Sequence, residues 1–341
     1  MSPSIGDVLR GFGDRFVVDR RRVVPALKRR RIPGFHILIY HRVRPELPSP
    51  LMLDTLPLES FERQMAYVSR HYRVLSLGQT LDALDEGRLP TGVVCVTFDD
   101  GYRDLEDYAM PVLRRHGIPA TVFLATAGIG TGTLLWYDRL LTAFRTTTAR
   151  RLDSPLDGRR VSLASETDKH HAACRLIEGF KRVSDADRIH GVGQVLSALG
   201  VKEGEDRSLM LDWDAVRRMQ SQGVEFGSHT ETHPILSRQS AAEVWRELTA
   251  SKATLEAECQ RPATLFAYPN GKPEDYNSST VEAVKRAGYR CAVTSEFGTN
   301  RAGDDPYRLK RGTPWEDSVT RFGMKLAWYR MQEHAVPEAV R

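Results

Sequence analysis

Residues 93–102 are VVCVTFDDGY, an apolar run that ends in two adjacent aspartates, Asp99 and Asp100. A continuous apolar run of this length is typical of a strand that is buried on both faces. The Asp-Asp-Gly that follows is a common turn sequence, because aspartate and glycine favour turn geometry. Loops after strands are also where α/β folds place catalytic side chains. The two aspartates are therefore candidate functional residues at the end of a buried strand.

A second polar motif lies far downstream, where residues 228–234 are SHTETHP and follow a short predicted strand. Taken alone, a His-x3-His pair is often two surface histidines. Combined with Asp100, His229 and His233 complete a set of two imidazoles and one carboxylate. Such a set suits Zn²⁺ or a similar ion and leaves positions for water and substrate. Asp99 would then lie beside the ion, where a hydrolase needs a general base.

The two motifs together resemble those of the polysaccharide deacetylases of the NodB-homology group, carbohydrate esterase family 4. The first family motif is Thr-Phe-Asp-Asp-Gly, here residues 97–101, and the second is His-Ser/Thr-x-x-His, here residues 229–233. The resemblance covers about residues 36–315. It implies a catalytic base, Asp99, and three ligands for one divalent metal, Asp100, His229 and His233. The implied metal is Zn²⁺, with Co, Ni, Mn or Fe as alternatives.

The third family motif is altered in this chain. Residues 266–271 are FAYPNG, so Ala267 stands near the position of the arginine that orients the base in the family. The turn is retained, and the backbone N–H of Asn270 is a candidate oxyanion donor. Arg311 is a candidate replacement for the missing arginine, with Arg308 as the other possibility. The alternative for each of these arginines is an ordinary surface charge.

The histidine motif that supplies the general acid late in the family is also absent. Residues 36–43 are HILIYHRV, an apolar predicted strand that ends near His41. The subgroup that resembles poly-N-acetylglucosamine deacetylases carries such a Tyr-His segment at its start. The first and last strands of a closed barrel are neighbours, so a strand moved between the chain ends leaves the site intact. His41 is thus the expected general acid; a hydrogen-bonded histidine at a strand end is the alternative.

Helix and strand patterns alternate along the chain, which predicts a parallel sheet. Together with the resemblance, this predicts an α/β fold, a distorted (β/α) barrel of the NodB type. Helices are expected at residues 60–72, 77–86, 102–116, 212–222, 240–259 and from Ser279, whose spacing to Glu282 matches a capping box. Further strands are expected at residues 120–124 and 290–294.

Residues 128–211 interrupt this alternation and are expected to form a helical insertion. Trp136 and Tyr137 open a predicted helix there, where they could stack on a sugar ring or belong to the core. The candidate substrate-binding residues are aromatic or lie beside the motifs: Tyr102, Trp136, Tyr268 and Pro269.

The chain has 341 residues, 41% hydrophobic residues and a formal net charge of +5. Basic clusters concentrate within residues 1–34, which are expected to form either a helix on an anionic membrane surface or a mobile leader. Residues 35–320 are expected to form the barrel with its insertion, and residues 321–341 a C-terminal helix or tail. The scattered cysteines and the missing signal-peptide pattern favour a cytoplasmic location, with peripheral membrane contact as a further expectation.

The combined expectation is a metal-dependent hydrolase that removes an N-acetyl group from an amino sugar in a polysaccharide or glycolipid precursor and releases acetate. A cytosolic enzyme of this kind would meet lipid-linked or nucleotide-linked sugars. The alternatives are a deformylase or another C–N amide metallohydrolase, and a non-catalytic carbohydrate-binding protein. Nucleic acid is not an expected partner, because the chain shows no recognition motif for it.

Overall fold

The computed structural model describes residues 34–47, 49–201, 206, 208–312, 316 and 318–332. The predicted basic leader lies outside these residues except for Gly34. Residues 333–341 of the predicted C-terminal segment also lie outside them.

The strands are β1 Phe35–Tyr40, β2 Arg42–Arg44, β3 Thr55–Pro57, β4 Arg73–Val74, β5 Val93–Phe98, β6 Ala120–Leu124, β7 Arg151–Asp153, β8 Arg160–Ser162, β9 Glu225–Ser228, β10 Leu265–Ala267 and β11 Cys291–Val293. The centre of the fold is a curled sheet of parallel strands in the order β1-β5-β6-β9-β10-β11, with the short β4 paired to β5. Two small sheets, β2-β3 and β7-β8, lie outside it.

Every residue of β1, β5 and β6 is buried. This is the expected state of parallel strands whose two faces are both covered, and it explains their continuous apolar sequences. The surrounding helices are α1 Leu58–His71, α2 Leu77–Asp85, α3 Met110–Arg115, α4 Trp136–Thr146, α5 Glu166–Phe180, α6 Asp185–Ala198, α7 Trp213–Ser221, α8 Ala241–Cys259, α9 Ser278–Arg286 and α10 Val319–Gln332. Among the described residues, no helix combines the length and apolar character needed to cross a membrane.

Two of the predicted helices begin at different residues from those expected. The helix expected at residues 102–116 starts later, with a π-helical turn at Leu105–Ala109 followed by α3. Tyr102 is used instead in a bridge to Met210. The expected capping box at Ser279 is also wrong, because Asn277 caps α9 and its side chain accepts a hydrogen bond from the backbone of Thr280.

The first and last strands of the sheet meet through a short irregular segment, residues 309–312, and not by the direct pairing that is expected in a closed barrel. Leu309 pairs with Val293 of β11, and Gly312 pairs with Leu38 of β1. The backbone N–H of Gly312 donates to the carbonyl of Ile37 at 2.7 Å. This segment closes the sheet, which otherwise has the curled, open form of a half-barrel.

The interrupting residues contribute helices α4, α5 and α6 and the β7-β8 hairpin. These elements share an apolar cluster of their own, which includes Trp136, Phe144 and Phe180. Leu51, from the loop after β2, packs into the same cluster. The insertion thus has an apolar core of its own, to which the loop after β2 contributes.

Candidate active site

The two aspartates occupy a tight turn directly after β5. The Asp99 backbone N–H donates to the carbonyl of Tyr40 at 2.9 Å, and the Gly101 N–H donates back to the carbonyl of Asp99 at 2.9 Å. Asp100 and Gly101 have φ angles of 73° and 95°. A Cβ atom on Gly101 would lie 2.7 Å from the side chain of Leu124, so a larger residue would not fit. Asp-Asp-Gly is therefore a turn and also part of the candidate site.

The loop after β9 presents His229 and His233 to the same cleft. Glu247 of α8 fixes this loop, because its carboxylate accepts hydrogen bonds of 2.9 Å from the backbone N–H groups of Glu231 and Thr232. His233 has a φ of 59°, which few side-chain-bearing residues adopt. The buried carboxylate of Glu247 thus sets the backbone that aims both imidazoles.

Asp100, His229 and His233 converge within the buried floor of the cleft. Their nearest ligand atoms all lie within 4.8 Å of one another. Asp100 Oδ1 is 3.6 Å from His229 Nε2 and 3.5 Å from His233 Nε2. His229 Nδ1 lies 2.8 Å from the carbonyl oxygen of Ala267, a contact that directs Nε2 toward the carboxylate. Ala267 stands near the position of the family arginine, and it contributes to the site through its backbone carbonyl oxygen.

The chemistry of these three side chains fits a divalent ion. Asp100 Oδ1 is buried and makes no hydrogen bond to another described residue, which leaves an oxygen ligand unsatisfied. Burial, together with the charge of His229, holds the pKa of His233 well below its ordinary value, so this imidazole is neutral at neutral pH. Neutral imidazole and an unpaired carboxylate oxygen are suitable ligands for Zn²⁺ and related ions.

Asp99 is held by Arg311, which the irregular segment between β11 and β1 carries. Arg311 Nη1 and Nη2 donate to Asp99 Oδ1 and Oδ2, each at 2.7 Å, and Arg311 Nε donates to the carbonyl of Thr294 at 2.7 Å. Burial would raise the pKa of Asp99, but the charge of Arg311, followed by that of His229, holds it well below its usual range. Asp99 is thus an ionised carboxylate inside a closed site.

The structure separates the two candidate arginines. Arg311 is 1% exposed, so it is not a surface charge. Arg308 lies on the surface, with its guanidinium 3.7 Å from the carboxylate of Asp305. Of this pair, only Arg311 reaches Asp99.

His41 lies between β1 and β2 and lines the same cleft as the two aspartates. Its Nδ1 atom is buried and makes no hydrogen bond to another described residue. Burial raises the pKa of Asp100, and the charged form of His41 is close enough to oppose that rise. The structure thus brings His41 together with Asp99 and Asp100. His41 does so from near the start of the chain, whereas the family histidine lies late in the sequence.

The cleft has a volume of about 410 Å³ and is lined by both the barrel and the insertion. Trp136 lines it but is only 6% exposed and belongs to the core of the insertion, with Arg188 stacked over its ring at 5.1 Å. Tyr137 contacts His233 edge to face, with ring centroids 5.3 Å apart. The two aromatic residues singled out in the sequence therefore connect the insertion to the loop that carries His229 and His233.

The residues of the turn after β10 lie partly in the core and partly in the cleft. Tyr268 is 1% exposed, stacks on Tyr276 and donates from its hydroxyl to the carbonyl of Tyr307 at 3.1 Å, so it is a core residue rather than a cleft residue. Pro269 is buried and also lies outside the cleft lining. Asn270 lines the cleft, and its backbone N–H makes no hydrogen bond to another described residue.

Asp138 and Arg42 are among the polar cleft residues that the sequence analysis did not identify. Asp138 accepts the hydroxyl of Tyr102, with distances of 2.9 and 3.2 Å to its two oxygens, and Arg42 stacks over the Tyr102 ring at 4.5 Å. Asp138 directly follows Trp136 and Tyr137 in the first turn of α4. An acidic residue in a first helical turn normally interacts with the helix dipole, so its position gave no functional signal.

Comparisons with known proteins show the family and the fold of the chain. The polysaccharide deacetylase family model matches residues 86–292. The Bacillus subtilis (strain 168) protein YxkH, whose name places it among the polysaccharide deacetylases, is 22% identical over 277 residues, covering 81% of this chain and 69% of that protein. A poly-β-1,6-N-acetyl-D-glucosamine N-deacetylase from Staphylococcus epidermidis is 31% identical over 105 residues, covering 27% of this chain and 36% of that protein.

Solved structures show the same fold. IcaB from Ammonifex degensii has a TM-score of 0.56 and 18% identity, and the similarity covers 87% of this chain and 97% of that one. The deacetylase PplD from Streptococcus pyogenes has a TM-score of 0.55 and 20% identity, covering 83% and 92%. The NodB-type barrel expected from the sequence is confirmed. The family match spans more than half of the chain, and the protein therefore belongs to the polysaccharide deacetylases, hydrolases with the NodB-homology fold.

Proposed function

We propose that the protein is a metal-dependent deacetylase that removes the N-acetyl group of an amino sugar and releases acetate. One observation carries the proposal: the convergent set of Asp100, His229 and His233 lies beside Asp99, which Arg311 holds ionised. A ligand set and a separate carboxylate base at the floor of one cleft are the components that metal-assisted amide hydrolysis requires.

The three ligands would hold one divalent ion, Zn²⁺ by preference, with Co, Ni, Mn or Fe as alternatives. When bound, such an ion polarises a carbonyl group and lowers the pKa of a water molecule.

Asp99 is suited to accept a proton from the water that attacks the acetyl carbon. Its low pKa means that it is ionised at neutral pH, and Arg311 occupies one face of both carboxylate oxygens. Each oxygen retains a further lone pair for the water proton. Arg311 is therefore a positioning residue that fixes the plane of the carboxylate.

The remaining groups act on the carbonyl oxygen and on the nitrogen of the amide. The Asn270 backbone N–H is a donor for the oxyanion that forms as the new C–O bond is made. His41 would protonate the nitrogen as the C–N bond breaks, because an amine is a poor leaving group without a proton. The water proton passes to Asp99, and the products are acetate and a free amino sugar.

The relatives support an N-acetylated polysaccharide as the substrate class, since one of them is named as a poly-β-1,6-N-acetyl-D-glucosamine N-deacetylase. An exopolysaccharide of that kind is our proposed substrate. A cytoplasmic location and a lipid-linked or nucleotide-linked sugar remain predictions from the sequence.

The test is product analysis on a panel that contains N-acetylglucosamine oligomers with β-1,6 and β-1,4 linkages and an N-formyl amino sugar. We expect acetate release from the N-acetyl oligomers, and loss of that release when a chelator is present. Asp99→Asn should lower turnover about 10²–10⁴-fold, the usual contribution of a general base. Asp107→Asn, at an exposed position, is the matched control.

Formate release without acetate release would replace the proposal with a deformylase. Binding of the oligomers without turnover at any tested metal would instead favour a non-catalytic carbohydrate-binding protein. Near-normal turnover by Asp99→Asn would remove Asp99 from the mechanism.

A further inference from the structure

A second polar group, separate from the metal ligands and the base, lies in the wall of the cleft. Arg42 comes from β2, Tyr102 from the turn after β5, and Asp138 from the first turn of α4. All three line the cleft, and their exposed fractions are only 8%, 3% and 4%. Buried polar side chains from three separate elements meet here at a surface that faces a ligand.

These side chains are held in place before any substrate arrives. The Tyr102 hydroxyl donates to Asp138, and the guanidinium of Arg42 lies 4.5 Å from the centre of the Tyr102 ring. Arg42 Nε donates to Asp104 Oδ2 at 2.8 Å, and Asp104 is 4% exposed. Each side chain is fixed by at least one partner within the fold, so the group is preorganised.

The group also has unused hydrogen-bonding capacity. A carboxylate can accept about four hydrogen bonds, and the Tyr102 hydroxyl supplies one to Asp138. The Nη groups of Arg42 make no hydrogen bond to another described residue. Because Arg42 and Asp138 line the cleft, their remaining donors and acceptors are available to a ligand or to water there.

The position of the group places it next to the reacting amide. Tyr102 follows the ligand Asp100 by two residues, and Asp138 follows Tyr137, whose ring contacts His233 at 5.3 Å. A molecule whose acetamide reaches the three metal-binding side chains would therefore present its neighbouring atoms to this wall. In an amino sugar those neighbouring atoms are ring hydroxyl groups, each of which both donates and accepts hydrogen bonds.

We propose that Arg42 and Asp138, positioned by Tyr102, form a subsite that binds hydroxyl groups of the amino sugar whose acetamide is cleaved. Asp138 accepts from a hydroxyl and Arg42 donates to a hydroxyl oxygen. This inference rests on the proposed function, and it adds a determinant of specificity: the enzyme selects acetamides on hydroxylated rings over acetyl compounds that lack hydroxyl groups. Arg42 and Asp138 are binding residues, and Tyr102 acts mainly by holding them.

The test compares Asp138→Asn, Asp138→Ala and Arg42→Lys with the unmodified protein. The probe is the β-1,6-linked N-acetylglucosamine pentasaccharide. We measure KM and kcat for acetate release and, by calorimetry, Kd for binding to the chelator-treated full-length protein. A lost hydrogen bond to a charged or buried partner should raise KM and Kd about tenfold or more, with little change in kcat. Asp153→Asn, exposed on the β7-β8 hairpin, is the control.

A hydroxyl-free substrate separates recognition from a structural role. 4-Nitrophenyl acetate offers an acetyl group but no sugar hydroxyl, so its hydrolysis should fall much less in Asp138→Asn than hydrolysis of the pentasaccharide does. Equal losses on the pentasaccharide and on the aryl ester, or an unchanged KM and Kd in both Asp138 variants, would overturn the subsite.

Failure of the proposed function has a different signature. If the unmodified protein released no acetate from the pentasaccharide, the proposed function would be wrong. The calorimetric comparison would still decide whether Arg42 and Asp138 bind the sugar.

Discussion

Arg311 binds Asp99 through two hydrogen bonds of 2.7 Å, although the two residues are 212 positions apart in the chain. Both side chains are almost fully buried, at 1% and 2% exposure. A charge pair in such a setting has a large influence on the ionisation of its members, because the surroundings screen it poorly.

Arg311→Ala should move the acid limb of the kcat/KM pH profile to higher pH. Arg311 lowers the pKa of Asp99, so its loss leaves burial to raise that pKa, and the base becomes protonated at a higher pH. Because one partner of a buried pair is removed, the free energy of unfolding should also fall by about 3–5 kcal/mol. Arg311→Lys should show a smaller shift, because a lysine cannot form the paired contact.

The control for this experiment is Arg308→Ala, because Arg308 lies at the surface beside Asp305. Its profile and stability should match those of the unmodified protein. An Arg311→Ala profile that superimposes on that of the unmodified protein would contradict the positioning role.

Removal of either ligand histidine should reduce the metal content of the purified protein. His229→Ala and His233→Ala each leave two of the three ligands, and two ligands hold a divalent ion far less tightly. Elemental analysis after dialysis measures the loss, with the exposed His171→Ala as the control. Full occupancy in both variants would mean that the metal binds elsewhere.

His41→Ala should affect amide cleavage much more than the cleavage of an activated ester. The amine needs a proton to leave, while a nitrophenolate departs without one. We expect a loss of about 10²–10⁴-fold on the N-acetyl oligomer, little loss on 4-nitrophenyl acetate, and normal metal content. Parallel losses on the two substrates would indicate a structural role for His41 at the end of β1.

Asp138→Asn should change how stability depends on pH. Burial, only partly offset by Arg42 and reinforced by Asp100, raises the pKa of Asp138 to about 7 in the folded protein. The pKa of this carboxyl in the unfolded chain is about 4. At pH values between the unfolded and folded pKa, the folded state binds more protons than the unfolded state, so the free energy of unfolding falls as the pH rises. Asparagine removes that dependence.

The measurement is the free energy of unfolding of both proteins in chelator from pH 4.5 to pH 8. Relative to Asp138→Asn, the unmodified protein should lose stability across this window, by no more than about 4 kcal/mol. A constant difference across the window would show that Asp138 does not titrate there. A divalent ion bound close to Asp138 should lower the pKa of that carboxyl in the folded protein and reduce the loss, whereas a remote ion should leave the loss unchanged.

Much of the candidate site could be predicted from the sequence because its residues lie at the ends of strands. The apolar run of β5 fixes where Asp99 and Asp100 emerge, and the two histidines sit within one short loop. Helix caps such as Ser240 and Asp212 were equally local signals, and both cap the predicted helices. The capping box expected at Ser279 was wrong because Asn277, two residues earlier, offers a competing cap.

Other parts of the site depended on long-range packing. Arg308 and Arg311 belong to one polar stretch of sequence, and no local pattern distinguishes the buried arginine from the exposed one. The difference arises because Gly312 pairs with Leu38 and draws Arg311 into the gap between the first and last strands. Tyr268 likewise looked like a cleft residue from its motif, but it packs on Tyr276.

The sequence by itself predicted the barrel, the three candidate metal ligands and the adjacent carboxylate, because strand periodicity and the two family motifs can each be recognised within a short segment. Only the tertiary structure decided that Arg311 holds Asp99 and that Asp138 and Arg42 both contact Tyr102. Those contacts join distant segments. Their formation depends on how the strands close and where the insertion packs, which no local pattern of residues encodes.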